Sequence, residues 1–351
     1  MAYATEEILR VLLIGGIAAL SLVTPIGIII AITLAVVAFS YRQTIHAYPS
    51  GGGAYIVAKE NLGTTPSLIA AASLLIDYVL TVAVSVAAGV AAVTSALPAL
   101  AEHRLALALG FVGVLTLGNL RGVRESGRIF AVPTYFFIVS ILGMLGVGAW
   151  RALTDSLVPM PPHPEIATDT GLLTTFAILT AFSNGCTAMT GVEAVSNGVP
   201  AFKPPEGRNA AATLVAMAAL AITMFVGITL LAHAYDIVPA EAETVISQIA
   251  RLTFGGPGVL YYGVQAATML ILVLAANTAY ADFPRLASIV ARDRFLPRQF
   301  MNQGDRLAFS NGILILSTLA ALLLVAFDGD THALIPLYMI GVFVSFTLSQ
   351  S

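Results

Sequence analysis

From Val11 to Ser40 the chain runs without one charged side chain, and from Leu68 to Ala96 it carries only Asp77. A helix needs about 20 predominantly apolar residues to cross the hydrocarbon core of a bilayer, and both runs exceed that. Composition agrees, since 58% of the 351 residues are hydrophobic and 10% are charged, against about 25% charged in a soluble domain. Too few polar residues remain to cover a folded core in water. The chain is expected to be an all-α integral membrane protein.

Several function classes drop out. A net charge of −3 implies neither nucleic acid nor any strongly charged partner. Cys186 is the single cysteine, so no internal disulfide can form. His46, His103, His163, His233 and His332 are dispersed without the His/Glu spacing of a metal site, and no serine elbow or cysteine pair occurs. The stretch "AYPSGGGAYIVAKENLG", Ala47 to Gly63, has three consecutive glycines but lacks the Gly-Lys-Ser/Thr ending of a phosphate loop, and "GGPG" from Gly255 fails in the same way. Neither an enzyme nor a bound cofactor is expected.

Windows of about 19 residues give nine spans, near 8–38, 66–98, 105–120, 129–150, 171–198, 210–235, 256–281, 309–327 and 333–349. The first is expected to bend at Thr24-Pro25, because proline removes a backbone donor. Abundant Ala, Gly and Ser suit close helix packing in lipid. Loops on one side hold Arg42, Lys59, Arg121, Arg124, Arg128, Lys203, Arg208, Arg285, Arg292, Arg294, Arg298 and Arg306, against Arg10, Arg104, Arg151 and Arg251 on the other. The positive-inside rule then puts the Gly51–Gly53 loop in the cytoplasm of a multi-pass plasma-membrane (cell inner membrane) protein. Arg285 to Phe300 is expected to form an amphipathic helix on the cytoplasmic membrane surface. The amino terminus has no basic n-region, so no signal peptide is expected. Both ends read as cut, as in a fragment of a longer product.

Two segments carry polar groups at depth. In 171–198 the stretch "FSNGCTAMTGVEAVSNG" places glycines and hydroxyls beside Glu193. Unwound backbone at membrane depth is tolerated where it lines a cavity, and interrupted helices form substrate sites in secondary transporters. Thr190 and Glu193 are the candidates, against close glycine packing with Glu193 near water. In 66–98, Tyr78, Thr81 and Ser85 follow i, i+3, i+7 spacing and share a helix face, with Asp77 beside them. Hydroxyl oxygens suit a dehydrated monovalent cation, although such groups also bond to their own helix. An acid at this depth faces a pathway or a polar partner.

These residues carry a family resemblance. "YPSGGGAYIVAKENLG" is similar to the inner loop of the amino acid, polyamine and organocation (APC) transporter superfamily, and "TGVEAVSNGVPAFKPPEGRNAA" resembles its broken sixth helix with the loop that follows. "LLIDYVLTVAVSVAAG", "TAMTGVEAVSNG" and "LIPLYMIGVFVSFTLSQS" together resemble the KimA-like branch of the KUP-type potassium:proton symporters. The resemblance implies a LeuT/APC-type fold of inverted five-helix repeats with broken helices in one transmembrane domain, 1–351. Its first repeat, 1–150, lacks most of helix one, and 171–351 forms the second. The nine spans become helices two to ten, with "MAYATEE" the end of helix one. The last two helices, the cytoplasmic domain and the helix-one aspartate of the family are absent from this chain.

Carried over residue by residue, the resemblance implies potassium oxygens from Tyr3, Tyr78, Thr81, Ser85, Thr190 and Tyr338, with Glu193 and Asp77 as candidates for proton coupling. Tyr338 by itself would read as an interfacial anchor. The implied activity is potassium import with proton symport by alternating access, in a protein that is a homodimer at full length. An amino acid or polyamine permease of the same fold is the alternative.

Overall fold

A computed structural model of the chain describes residues 2–48, 53–121, 127–154, 156, 157, 159, 173–301 and 309–350. Gly51 and Gly52 of the glycine triplet, and Arg124 and Arg306 among the counted basic residues, lie outside the described residues. Every regular element among the described residues is helical. In chain order these are α1 (Ala4–Leu13), α2 (Val23–Ala47), α3 (Gly53–Asn61), α4 (Thr64–Ala96), α5 (Arg104–Leu120), α6 (Gly127–Leu153) and α7 (Thr175–Gly185). They continue with α8 (Val192–Asn197), α9 (Glu206–Ala234), α10 (Val245–Phe254), α11 (Val259–Arg292), α12 (Ser310–Ala326) and α13 (Thr331–Gln350).

Seven of the nine expected spans overlap runs of membrane-crossing length and composition. Of the other two, α12 has 17 residues and 171–198 is interrupted, as its glycines predicted. Two expectations need correction. The run 8–38 is not one bent helix: α1 ends at Leu13, Gly16 takes φ 84°, and a 3₁₀ turn, Ile17–Leu22, leads into α2. Pro25 sits in the first turn of α2, where its missing N–H costs no helical bond, so the break falls at the glycines instead. The segment 285–300 is not a separate surface helix, because α11 continues to Arg292 and only Arg298–Met301 forms a further turn.

The chain divides into two compact units, Met1–Ser67 with Ile141–Tyr261 and Phe346–Ser351, and Leu68–Ser140 with Tyr262–Ser345. In the first, α2 packs along α9 and α1 packs on α7. Along α2, Ile26, Ile30, Leu34, Tyr41 and Ile45 are buried, while Ile28, Ile32, Val36 and Phe39 are exposed. A helix apolar on both faces is stable with one face on protein and the other on lipid. Close approach rests on small residues. A Cβ on Gly185 would come within 2.5 Å of Ile30 and 2.6 Å of Ile8, so α1, α2 and α7 converge there through a missing side chain. The α6 and α9 faces interlock twice: Leu231 fills the space over Gly148, and Leu145 fills that over Gly227, each with a side-chain atom 2.6 Å from where a Cβ would stand.

In the second unit α5 packs on α12. Gly312 meets Pro284, and Gly89 lies against Met269 and Leu272, which brings α12 and α4 onto α11. Hydrogen bonds reinforce this contact. The Thr116 hydroxyl lies 2.8 Å from Ser317 Oγ and 3.1 Å from Tyr280 OH, and Ser317 donates to Tyr280 at 3.3 Å. One turn away Asn119 donates to Asn277 at 2.8 Å. Interhelical hydrogen bonds in lipid average about 0.6 kcal/mol each, so the ladder specifies which faces of α5, α11 and α12 meet more than it stabilises the fold.

Candidate functional site

The interruption between α7 and α8 follows from four residues. After Gly185 the chain tightens into a 3₁₀ turn, Cys186–Met189, and Thr190 then turns to an extended conformation at φ −65°, ψ 142°. Gly191 follows at φ 90°. A β-branched residue accepts the extended region readily, and glycine takes positive φ without a Cβ penalty. A Cβ on Gly191 would meet nothing within 4 Å, so the backbone angle rather than space requires glycine here.

Side chains close around this break. Thr190 Oγ1 donates to the Thr187 carbonyl at 2.9 Å, so its proton is committed and its oxygen can still accept. The Gly191 N–H donates to both carboxylate oxygens of Glu193, at 3.1 and 3.2 Å, and Glu193 is 8% exposed. The helix α1 packs against both α7 and the Cys186–Met189 turn. Tyr3 stands at the residue before α1, where its carbonyl accepts the Glu7 N–H at 3.0 Å, and is 9% exposed, and Thr5 shares a 3.0 Å hydrogen bond with Thr229 of α9. The first unit thus holds Tyr3, Thr190 and Glu193, with α1 against the interrupted segment.

The second unit holds the remaining candidates on two facing helices. Asp77, Tyr78, Thr81 and Ser85 form one stripe on α4, as their spacing predicted. Across from it, a Cβ on Gly341 of α13 would lie 3.6 Å from Asp77 and 3.4 Å from the Ser73 carbonyl. One turn further along, Thr81 Oγ1 donates to Tyr338 OH at 3.4 Å. Tyr338 is 3% exposed, so its hydroxyl belongs to a packed helix contact and the interfacial-anchor reading fails. Asp77, Tyr78 and Ser85 are likewise buried. The result is a set of uncharged oxygens next to a carboxylate.

The sequence did not single out Glu6. On α1, Glu6 Oε2 accepts the Val245 N–H at 3.1 Å, and Arg10 reaches Glu6 and the Ala240 carbonyl. The first amide of α10, which has no intrahelical partner, is therefore capped by α1, while Thr244 caps Ser247. The i, i+4 spacing of Glu6 and Arg10 was the available signal.

An all-helical membrane protein with interrupted helices and buried polar stripes has the organisation of a permease. The chain belongs to the amino acid permease family, whose model matches residues 3–350. It is 50% identical over 351 residues to the potassium transporter KimA of Bacillus subtilis, covering all of this chain and 58% of that protein. It is 22% identical over 315 residues to the low-affinity putrescine importer PlaP of Escherichia coli, covering 88% of this chain and 68% of that protein. The chain thus spans less than two thirds of the length of the Bacillus relative.

Proposed function

We propose that this chain is the membrane core of a potassium importer, coupled to protons and working by alternating access. The observation that carries the reading is the buried oxygen set on α4 and α13, with Thr81 Oγ1 3.4 Å from Tyr338 OH beside Tyr78, Ser85 and the Asp77 carboxylate. Identity of 50% to a potassium transporter supports it. Potassium sheds its water onto the hydroxyls of Tyr78, Thr81, Ser85 and Tyr338 in the second unit, as ions do onto oxygen rings in channels, and Tyr3 and Thr190 in the first unit are the further oxygens that the family resemblance assigns to it. Glu193 and Asp77 take up and release the proton. The membrane potential contributes about 2.3 kcal/mol per charge per 100 mV to inward movement. The chain acts as a transporter rather than an enzyme.

A polyamine or amino acid permease is the second reading, favoured by the relationship to a putrescine importer. Uptake decides between them. The full reading frame that carries this chain is expressed in cells lacking potassium import, and rubidium uptake is compared with uptake of labelled putrescine and amino acids. Rubidium uptake alone is the expected result, and putrescine uptake without rubidium would overturn the potassium reading.

The surplus of basic residues on one set of loops supports a cytoplasmic α2–α3 connection in the plasma membrane. Lys59, exposed near the end of α3, tests it. In the otherwise cysteine-depleted protein, Lys59→Cys is expected to react with a membrane-impermeant maleimide only after the cells are opened. Labelling of intact cells would reverse the orientation.

A further inference from the structure

Threonines in the helices of this protein follow a common rule: Thr33, Thr134, Thr180, Thr223 and Thr268 each donate to the carbonyl four residues earlier. This is the ordinary fate of a helical threonine in an apolar setting. Thr187 departs from it. Its side chain is 1% exposed, and its Oγ1 has no hydrogen-bond partner among the described residues. Its carbonyl, by contrast, accepts both the N–H and the hydroxyl of Thr190, at 3.4 and 2.9 Å.

A buried hydroxyl without a partner destabilises the fold, so its position matters. Thr187 lies inside the 3₁₀ interruption between α7 and α8, a turn against which α1 packs. Thr24, Gln248, Gln265 and Ser345 also hold buried polar atoms without partners among the described residues, but each sits within a continuous helix. Thr187 is three residues before Thr190 and on the same turn. A rotatable hydroxyl can point its proton away and offer a lone pair, which is what a dehydrated monovalent cation takes up and what an amide of glutamine offers less freely in a packed helix.

We propose that Thr187 is a further oxygen ligand of the transported monovalent cation, its hydroxyl left unpaired by the protein because the cation is its partner. The inference rests on the potassium reading and adds to it a residue outside the set that the family resemblance supplies. It also explains why an energetically unfavourable group stands at the break: the binding function is obtained at the expense of stability.

The test uses opposite signs in two measurements on the full-length protein. Thr187→Val keeps the side-chain shape and removes the oxygen. Without a ligand role it changes nothing in transport. With one, it raises the apparent rubidium constant about three- to tenfold, since a lost contact to a charge exceeds one to a neutral group. Its melting temperature in potassium-free buffer stays equal to or above that of the parent, while the added stability on exchanging choline chloride for potassium chloride shrinks, as ligand linkage requires. Thr187→Ser, which keeps the hydroxyl, is expected to stay near the parent in both. An unchanged rubidium constant in Thr187→Val, with rubidium uptake intact in the parent, would overturn the ligand role alone. A parent that takes up no rubidium would overturn the potassium reading and this inference with it.

Discussion

Replacing Tyr338 by phenylalanine is expected to raise the apparent rubidium constant of the full-length transporter about ten- to hundredfold, because contacts of a hydroxyl with a charged partner contribute roughly 1.5–3 kcal/mol. The ring is 3% exposed and keeps its packing on α13, so the change removes an oxygen and little else. Thr81→Val should act in the same direction. The two effects should fall short of their product when combined, since the Thr81 and Tyr338 hydroxyls lie 3.4 Å apart and groups in contact do not add independently. Uptake kinetics in cells lacking potassium import, corrected for the amount of protein in the membrane, measure this. Unchanged constants in both single variants would remove the α4–α13 contact from the site.

The second large effect concerns Glu193. Its carboxylate folds back on the Gly191 N–H at 3.1 and 3.2 Å. Glu193→Gln keeps an acceptor oxygen for that amide at nearly the same volume, so the break between α7 and α8 should persist. What is lost is the group that can carry a proton. In proteoliposomes with an imposed proton gradient and no membrane potential, rubidium accumulation by Glu193→Gln is expected to fall to the level of empty vesicles. Asp77→Asn is the comparison, because intramembrane carboxylates serve as proton relays and Asp77 is the other candidate. Gradient-driven accumulation that survives in Glu193→Gln and vanishes in Asp77→Asn would move the proton to α4.

The α4 stripe and the interruption at Gly191 were legible in the sequence for definite reasons. Helical period alone places Asp77, Tyr78, Thr81 and Ser85 together in the middle of a helix whose other polar residues lie mostly near its ends. Glycine and threonine in tandem inside an apolar run leave few continuous-helix solutions. The split between α1 and α2 was not legible, because a window sized for a membrane span averages across Gly15 and Gly16 and reads proline as the stronger breaker. The same window passes over α10, which is only 10 residues long. Its ends were nevertheless marked by Thr244, whose hydroxyl caps the first turn, and by Gly255 at φ 77°.

Polar contacts between distant helices were harder still. Thr116 and Asn119 are three apart on α5, and Asn277 and Tyr280 are three apart on α11, a matched spacing that has meaning only once the two helices are known to face each other. The Glu6 contact with the first amide of α10 joins residues 239 positions apart. No local pattern contains such a pairing, since it depends on the return of the chain after α9. Thr187 was not a candidate for the opposite reason: the sequence shows a threonine, and only the structure shows that its hydroxyl has no hydrogen-bond partner among the described residues.

The paired glycine and leucine contacts of α6 and α9 have a mechanical consequence. Each helix carries both a tooth and a notch, Leu145 and Gly148 on one, Leu231 and Gly227 on the other. A single tooth in a single notch would let the helices pivot about that point. Two oppositely directed teeth a turn or so apart forbid both pivoting and gradual sliding, so any axial shift must jump by a whole turn, about 5.4 Å. In the proposed transport cycle these faces of α6 and α9 should therefore move as one rod.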